Sequence, residues 1–306
     1  MRIFFTEELL KQAKQNSNII LLTADLGFSV FEEFASILPK QYLNTGCSEA
    51  NTVSMAAGLA LSGKKVFIYS IVPFITMRCF EQIRVDVCMH QADVTLVGVG
   101  GGLAYGQLGP THHAIEDIAI LRALPNMNVI CPGDPMESRL ATRALIQARG
   151  PAYLRLNKKN DPQVHLHEFS FEIGKAIFLR NGKDVTLIST GSMLPRAIEV
   201  ATLLEKKNIT TTVLSMPTVK PLDTEALDRA VKTTSAIFTL EEHSVIGGLG
   251  GAVAEYLSES PIRPRVFHRF GIQDRFTREC GDPLYLHRIH GLTAEQITDS
   301  IVKLHH

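Results

Sequence analysis

Tryptophan is absent from the 306 residues, and the five cysteines (Cys47, Cys79, Cys88, Cys131, Cys280) are an odd number without CxxC spacing. That pattern excludes a disulfide framework and a cysteine zinc site, and it reads as reduced thiols in a cytoplasmic protein. An excess of one charge is also missing, because 31 basic residues balance 31 acidic ones. No overall basic field therefore draws the chain to nucleic acid or to an anionic membrane. No apolar run reaches the ~20 residues that a membrane span needs. Charges interrupt the opening MRIFFTEELLKQAKQ before a secretion-signal core forms, so the chain is expected in the cytoplasm. Repeats and low-complexity tracts are absent too. With 45% hydrophobic residues, and at ~100–200 residues per domain, the composition is that of a two-domain globular protein.

What is present is an alternation of short Val/Ile/Leu runs with helical segments. Strands are expected at 19–23, 66–72, 94–99, 128–132 and 152–156, with helices at 49–63, 78–90 and 134–148. Continuous apolar runs between helices predict strands covered on both faces, hence a parallel α/β sheet. Asp134 before Pro135 reads as an N-cap followed by a first-turn proline. A polar stretch at 157–174 breaks the rhythm. It restarts with strands at 185–190, 211–216, 235–240 and 265–270, and helices at 194–207, 223–232 and 247–258. The division is residues 1–160, a linker at 161–180, and a smaller α/β unit at 181–306. Ligands of open α/β sheets sit beyond strand carboxyl ends, so informative residues should follow strands.

Several do. Glu49 opens the small-residue helix, where a carboxylate favours the helix dipole by ~0.3–1 kcal/mol with or without a further role. Phe74 lies in the turn after a strand and is either a core filler or a flat face for a planar ligand. Six glycines between 98 and 109 predict a loop of close approaches, with the wrong spacing for a dinucleotide fingerprint. His112 and His113 end that loop. Adjacent histidines on a turn rarely converge on a metal and no third ligand is evident, so no metal site is expected and a single proton-handling histidine is preferred. Arg155 interrupts a buried strand and needs an anionic partner, either a protein carboxylate or a bound carboxylate or phosphate. Gly247, Gly248, Gly250 and Gly251 before a helix invite a phosphate-loop reading.

Taken in this order over essentially the whole chain, these segments resemble the C-terminal half of transketolase. That half is a parallel-sheet pyrimidine-binding domain followed by a smaller Rossmann-like C-terminal domain. GPTHH and the ADL at 24–26 favour this family over the β chains of 2-oxoacid dehydrogenases, which share the fold. The resemblance implies thiamine diphosphate as cofactor. Glu49 matches the carboxylic acid that bonds the aminopyrimidine ring nitrogen, a role that needs a raised pKa from burial against a neutral partner. Phe74 matches the stacking aromatic, and the family's flanking aromatics correspond to Ile71 and Met77, which makes the cage more aliphatic. Asp25 matches a carboxylate near the cofactor at the subunit interface. His112 matches the histidine that hydrogen-bonds the donor sugar's hydroxyl and carbonyl oxygens. Arg2, Ser29 and Arg155 match three sugar-phosphate ligands. A family histidine corresponds to Gly100, and the acidic residue that reads a hydroxyl's configuration corresponds to Leu108. Leu108 removes a polar partner and points to an altered sugar. The glycines at 247–251 match a mainly structural segment.

The same families hold the diphosphate through Mg²⁺ bound by a GDG segment, and no GDG occurs in this sequence; CPGDP at 131–135 lacks the second glycine. The resemblance therefore implies half an active site. It implies the pyrimidine-binding subunit of a split transketolase-like enzyme that transfers a two-carbon ketol unit between sugars or sugar phosphates. The Mg²⁺ and diphosphate ligands are then expected on an N-terminal-type partner subunit. The expected assembly is an α₂β₂ heterotetramer in which the chains of this type pair two-fold. Decarboxylative carboligation from a 2-oxoacid, as in deoxyxylulose-phosphate synthase, is one alternative. A non-catalytic subunit of the same fold is the other, and the presence together of Glu49, Phe74 and His112 counts against it.

Overall fold

In the computed structural model, which describes residues 1–158 and 161–305, the apolar runs form strands of two sheets. The strands are β1 (Ile19–Thr23), β2 (Tyr42–Asn44), β3 (Lys65–Ile71), β4 (Val94–Val99), β5 (Asn128–Ile130), β6 (Ala152–Leu156), β7 (Ile177–Arg180), β8 (Val185–Ser189), β9 (Thr211–Ser215), β10 (Thr218–Lys220), β11 (Ala236–Ser244) and β12 (Val266–Ile272). The first sheet has the order β10-β5-β6-β4-β3-β1-β2 and the second β12-β11-β8-β9-β7. Pairing is parallel except where β10 meets β5 and β7 meets β9. β3, β4 and β6 are buried along their whole length, as strands covered on both faces must be.

The helix over Glu49–Leu61 starts at its glutamate. The helix Pro135–Gln147 is capped by Asp134, which accepts from the Glu137 N–H at 2.8 Å. Residues 78–90 depart from the expected single α-helix. A turn and the short helix Phe80–Gln82 lead into a π-helical segment, Ile83–Met89. Its wider coil aligns Ile83, Val87 and Cys88, spaced by four and five residues, on the buried side.

The division into units is less clean than the composition implies. The boundary at residue 160 lies outside the described residues. Residues 177–180, expected in the linker, form the edge strand β7. β10, from the second unit, pairs with β5 and covers the edge of the first sheet. The linker's polarity has a purpose, since it docks on the first unit. The Met1 ammonium bonds Asp161 at 2.6 Å, and Asp134 accepts from the N–H groups of Val164 and His165. Glu168 pairs with Arg143. Nδ1 of His165 comes within 3.2 Å of the buried Asp134 carboxylate, which also caps a helix. Burial opposes charge on this imidazole, but Asp134 and Glu137 outweigh it and raise its pKa. Among the described residues no helix is long and apolar enough to cross a membrane.

Glu242 on β11 fastens the second unit to the glycine-rich loop of the first. It takes hydrogen bonds from Leu103 N (3.0 Å), His287 Nε2 (2.9 Å) and Ser192 Oγ (2.5 Å). A Cβ on Gly102 would come within 2.5 Å of the Glu242 carboxyl carbon, so the loop needs glycine to approach this closely. Burial alone would push Glu242 up, but His287, Ser192 and the Leu103 N–H outweigh it and bring the carboxyl down to about 2. A depressed carboxylate pKa contributes stability above its ordinary value of 4.5, and that contribution is lost as pH falls through about 2. Breaking such a buried pair costs roughly 3–5 kcal/mol. Glu242→Gln is therefore expected to lower the melting temperature at neutral pH. The gap to the unaltered protein should narrow as pH falls from 4.5 towards 2, which thermal unfolding followed by circular dichroism measures.

Candidate active site

Three segments at the carboxyl end of the first sheet bring Glu49, Phe74 and His112 together. Glu49, on the first turn of its helix, is 7% exposed. Phe74 sits in the short helix Val72–Thr76 that follows β3 directly, and it packs partly on the core beneath. His112 ends the loop after β4, and its ring meets Phe74 edge-on with centroids 5.2 Å apart. Arg78 ties the group together. Its guanidinium donates to Glu49 Oε1 at 3.2 Å and lies 3.8 Å over the centroid of the Phe74 ring. Glu49 thus faces a charged partner here rather than the neutral one expected from the sequence. Burial, then the charges of Arg78 and Lys158, lower the His112 pKa. The imidazole is therefore neutral near pH 7, and its Nδ1 lies 2.9 Å from Thr111 Oγ1.

Tyr105 extends the group. Its ring centroid is 6.0 Å from that of His112, and Lys158 Nζ lies 4.1 Å from the centre of the phenol ring. A Cβ on Gly100, whose φ is +84°, would come within 2.0 Å of the Tyr105 ring. The glycine there makes room for an aromatic that fills the space a side chain at 100 would need. Burial pushes the Tyr69 and Tyr105 phenols up, and the charge of Arg2 partly offsets this at both. The charge of Arg2 is thus felt at Tyr105. Tyr105, Leu108 and Lys158 also border a cavity of about 720 Å³ whose far wall is Ser192, Glu242 and His287 of the second unit.

Other residues expected at the site are placed differently. Arg155 is 4% exposed and committed to the interior. It donates to Asp117 at 2.7 and 3.3 Å, to the Ala114 carbonyl and to the Glu242 carbonyl. The anionic partner that a buried arginine requires is thus a protein carboxylate, and protein acceptors engage the Nε and Nη2 edge of the guanidinium. Lys158, three residues further on, is the cation that reaches the site. Ser29 is exposed, with φ +59°, and its N–H donates to Glu32 at 2.6 Å. No hydrogen bond joins it to Arg2 among the described residues. Asp25 is exposed and held by Asn44 at 3.0 and 3.2 Å, with Cys47 Sγ 3.8 Å away. Ile71 is buried below Phe74, whereas Met77 is 38% exposed. Leu108 is 52% exposed and lines the cavity with an apolar surface.

The phosphate-loop reading of 247–251 fails for a physical reason. The buried carboxylate of Glu241 already accepts from the N–H groups of Leu249 and Gly250, at 2.7 and 2.8 Å, so the helix start has its own anion. Arg78, Tyr105 and Lys158 carry no signal in the sequence that singles them out as a set. Arg78 stands one helical turn after Phe74, and Lys158 stands just past the end of β6, where a functional cation belongs.

The family models agree with this architecture. Residues 1–163 match the transketolase pyrimidine-binding domain, and residues 174–297 match the transketolase C-terminal domain. The chain is 41% identical over 272 residues to one of the subunits of the apulose-4-phosphate transketolase of Phocaeicola vulgatus, covering 88% of this chain and 86% of that one. It is 37% identical over 298 residues to the 6-deoxy-6-sulfo-D-fructose transketolase subunit SqwH of a Clostridium species, covering 97% and 92%. A solved split-gene transketolase, described as an inactive β4 tetramer, superposes with a TM-score of 0.91 at 36% identity, covering 99% of this chain and 97% of that one. The chain belongs to the transketolase family, in which it carries the pyrimidine-binding and C-terminal domains as the subunits of split transketolases do.

Proposed function

We propose that this chain supplies the aminopyrimidine half of a thiamine diphosphate site in a split transketolase-like enzyme. The enzyme moves a two-carbon ketol unit between sugars or sugar phosphates. One observation carries the reading: Glu49 and the open face of Phe74 are set around a single planar nitrogen group beside His112. That group is the Arg78 guanidinium, and an aminopyrimidine ring, also planar and carrying N–H donors, can use the same carboxylate and the same aromatic face. When bound, thiamine diphosphate supplies the electron sink for breaking a carbon–carbon bond next to a carbonyl.

The chain's own residues then have distinct tasks. Glu49 hydrogen-bonds the pyrimidine ring nitrogen, Phe74 stacks on the ring, and Ile71 and Met77 close the aliphatic sides. Asp25 faces the cofactor across a subunit interface. His112, neutral at pH 7, can donate to or accept from the substrate's hydroxyl and carbonyl oxygens and move a proton there. Arg2, Lys158 and Tyr105 form the cationic and hydrogen-bonding side that receives the anionic end of the substrate, with Ser29 from the neighbouring loop. Relatives named as single subunits of transketolases support a partner chain, which brings Mg²⁺ and the diphosphate contacts in an α₂β₂ assembly. Leu108 favours an acceptor or donor lacking one hydroxyl, and the relatives named for apulose phosphate and a deoxysulfosugar are consistent with an unusual sugar. The same apolar position supports decarboxylative carboligation as the second reading, which CO₂ release from pyruvate separates from ketol transfer.

Calorimetry with thiamine diphosphate and Mg²⁺ should give no tight binding to this chain alone and tight binding once the diphosphate-domain subunit is added. Glu49→Gln in the assembled enzyme is expected to abolish turnover with the fold intact, and unimpaired turnover would remove Glu49 from its role. Lys158→Met takes one cation away from His112, so the imidazole should titrate closer to its ordinary 6.5. A histidine NMR titration of the two proteins reads this, and an unchanged His112 curve would contradict it.

A further inference from the structure

Arg78 makes two contacts that together describe a different ligand. Its guanidinium is flat and delocalised, one edge donates to the Glu49 carboxylate, and its face covers Phe74. Phe74 leans on the core beneath and meets His112 only at an edge. An aminopyrimidine ring stacked on the open face of Phe74 and bonded to Glu49 would need the same face and the same carboxylate. The two occupants exclude each other. The side chain of Arg78 is 53% exposed and rises from a turn, so it can leave towards solvent without disturbing the core.

Resting on the reading of Glu49 and Phe74 given above, we propose that Arg78 is a positioning residue that occupies the aminopyrimidine pocket in the cofactor-free chain and is exchanged for the ring on binding. It keeps the nearly buried Glu49 partnered and the aromatic face covered while the pocket is empty. It therefore lowers the apparent affinity, because the ring must displace it. An exposed cation–π contact and a half-exposed ion pair are each worth a factor of a few in an equilibrium constant. Removing both should tighten ring binding about tenfold.

The experiment uses the full chain without any partner, so that it does not depend on the split-site reading. The probe is 4-amino-5-hydroxymethyl-2-methylpyrimidine, the free alcohol of the cofactor's pyrimidine half. Its binding is followed by NMR through the ring signals of Phe74 and His112. Arg78→Ala is expected to bind the probe about tenfold more tightly than the unaltered chain, with Arg78→Lys in between because it keeps the charge but lacks the planar face. Equal or weaker binding by Arg78→Ala, or no binding to it, overturns the exchange. Should Arg78→Ala not fold, the same comparison is made with Arg78→Lys. Adding Glu49→Gln to Arg78→Ala should abolish the gain. Tight binding that survives this second substitution would instead overturn the assignment of the pocket to Glu49, so the two failures are told apart.

Discussion

Arg155 enters the interior near the end of β6, where water cannot solvate it, and its surroundings are arranged to replace that water. Asp117 meets the guanidinium at two points and also accepts from Tyr153 at 2.7 Å. Nη2, which makes one of those contacts, also reaches the carbonyls of Ala114 and Glu242. Leaving such a charge unpaired in the interior would cost several kcal/mol, roughly 3–5 by the measure of broken buried pairs. The arrangement is therefore strongly determined. Asp117 and Ala114 follow the loop that ends in His112, and the Glu242 carbonyl belongs to the second unit. One cation thus fixes where the loop returns to the sheet and where the second unit lies against it.

That buried charge contrasts with those at the site. Arg78, Lys158 and Arg2 stand at a half-open surface, where each is solvated and can exchange partners. Burial, with the charges of Arg78 and Lys158 added to it, disfavours a charge on His112, and the cluster of cations makes the region receptive to anions. Burial divides the arginines by role: the enclosed one holds the scaffold, and the accessible ones can turn to ligands. The glycine-rich loop belongs to the scaffold side as much as to the ligand side. Gly100 and Gly102 accommodate Tyr105 and Glu242, side chains of the protein itself.

Much of this was legible in the sequence. Unbroken Val/Ile/Leu runs identified the strands other than β2, β7 and β10, because strands covered on two faces have no polar side. Glu49, Phe74 and His112 were legible as residues that follow strands or begin helices, and they do meet. Arg155 was legible only as a demand for an anion. The answer, Asp117, lies 38 residues away on another element and depends on how the chain returns. β7 and β10 are short and pair antiparallel at edges, so neither carries a long apolar signature. Lys158 was hidden in a polar stretch that reads as linker, and Arg78 in a segment that reads as plain helix.

The strand β10 has a consequence for how such proteins are assembled from parts. It leaves the second sheet's neighbourhood, lies antiparallel along β5 and returns through the helix Thr224–Thr233 to the second unit. The edge of the first sheet is thus completed by residues that come some sixty positions after that sheet's last parallel strand. Composition marks a seam near the linker, but the hydrogen-bonded structure does not part there. A gene split or joined at that seam would leave one sheet short of a strand and the other unit with a loose excursion. In its hydrogen bonding, the whole chain rather than either domain is therefore the unit that closes both sheets.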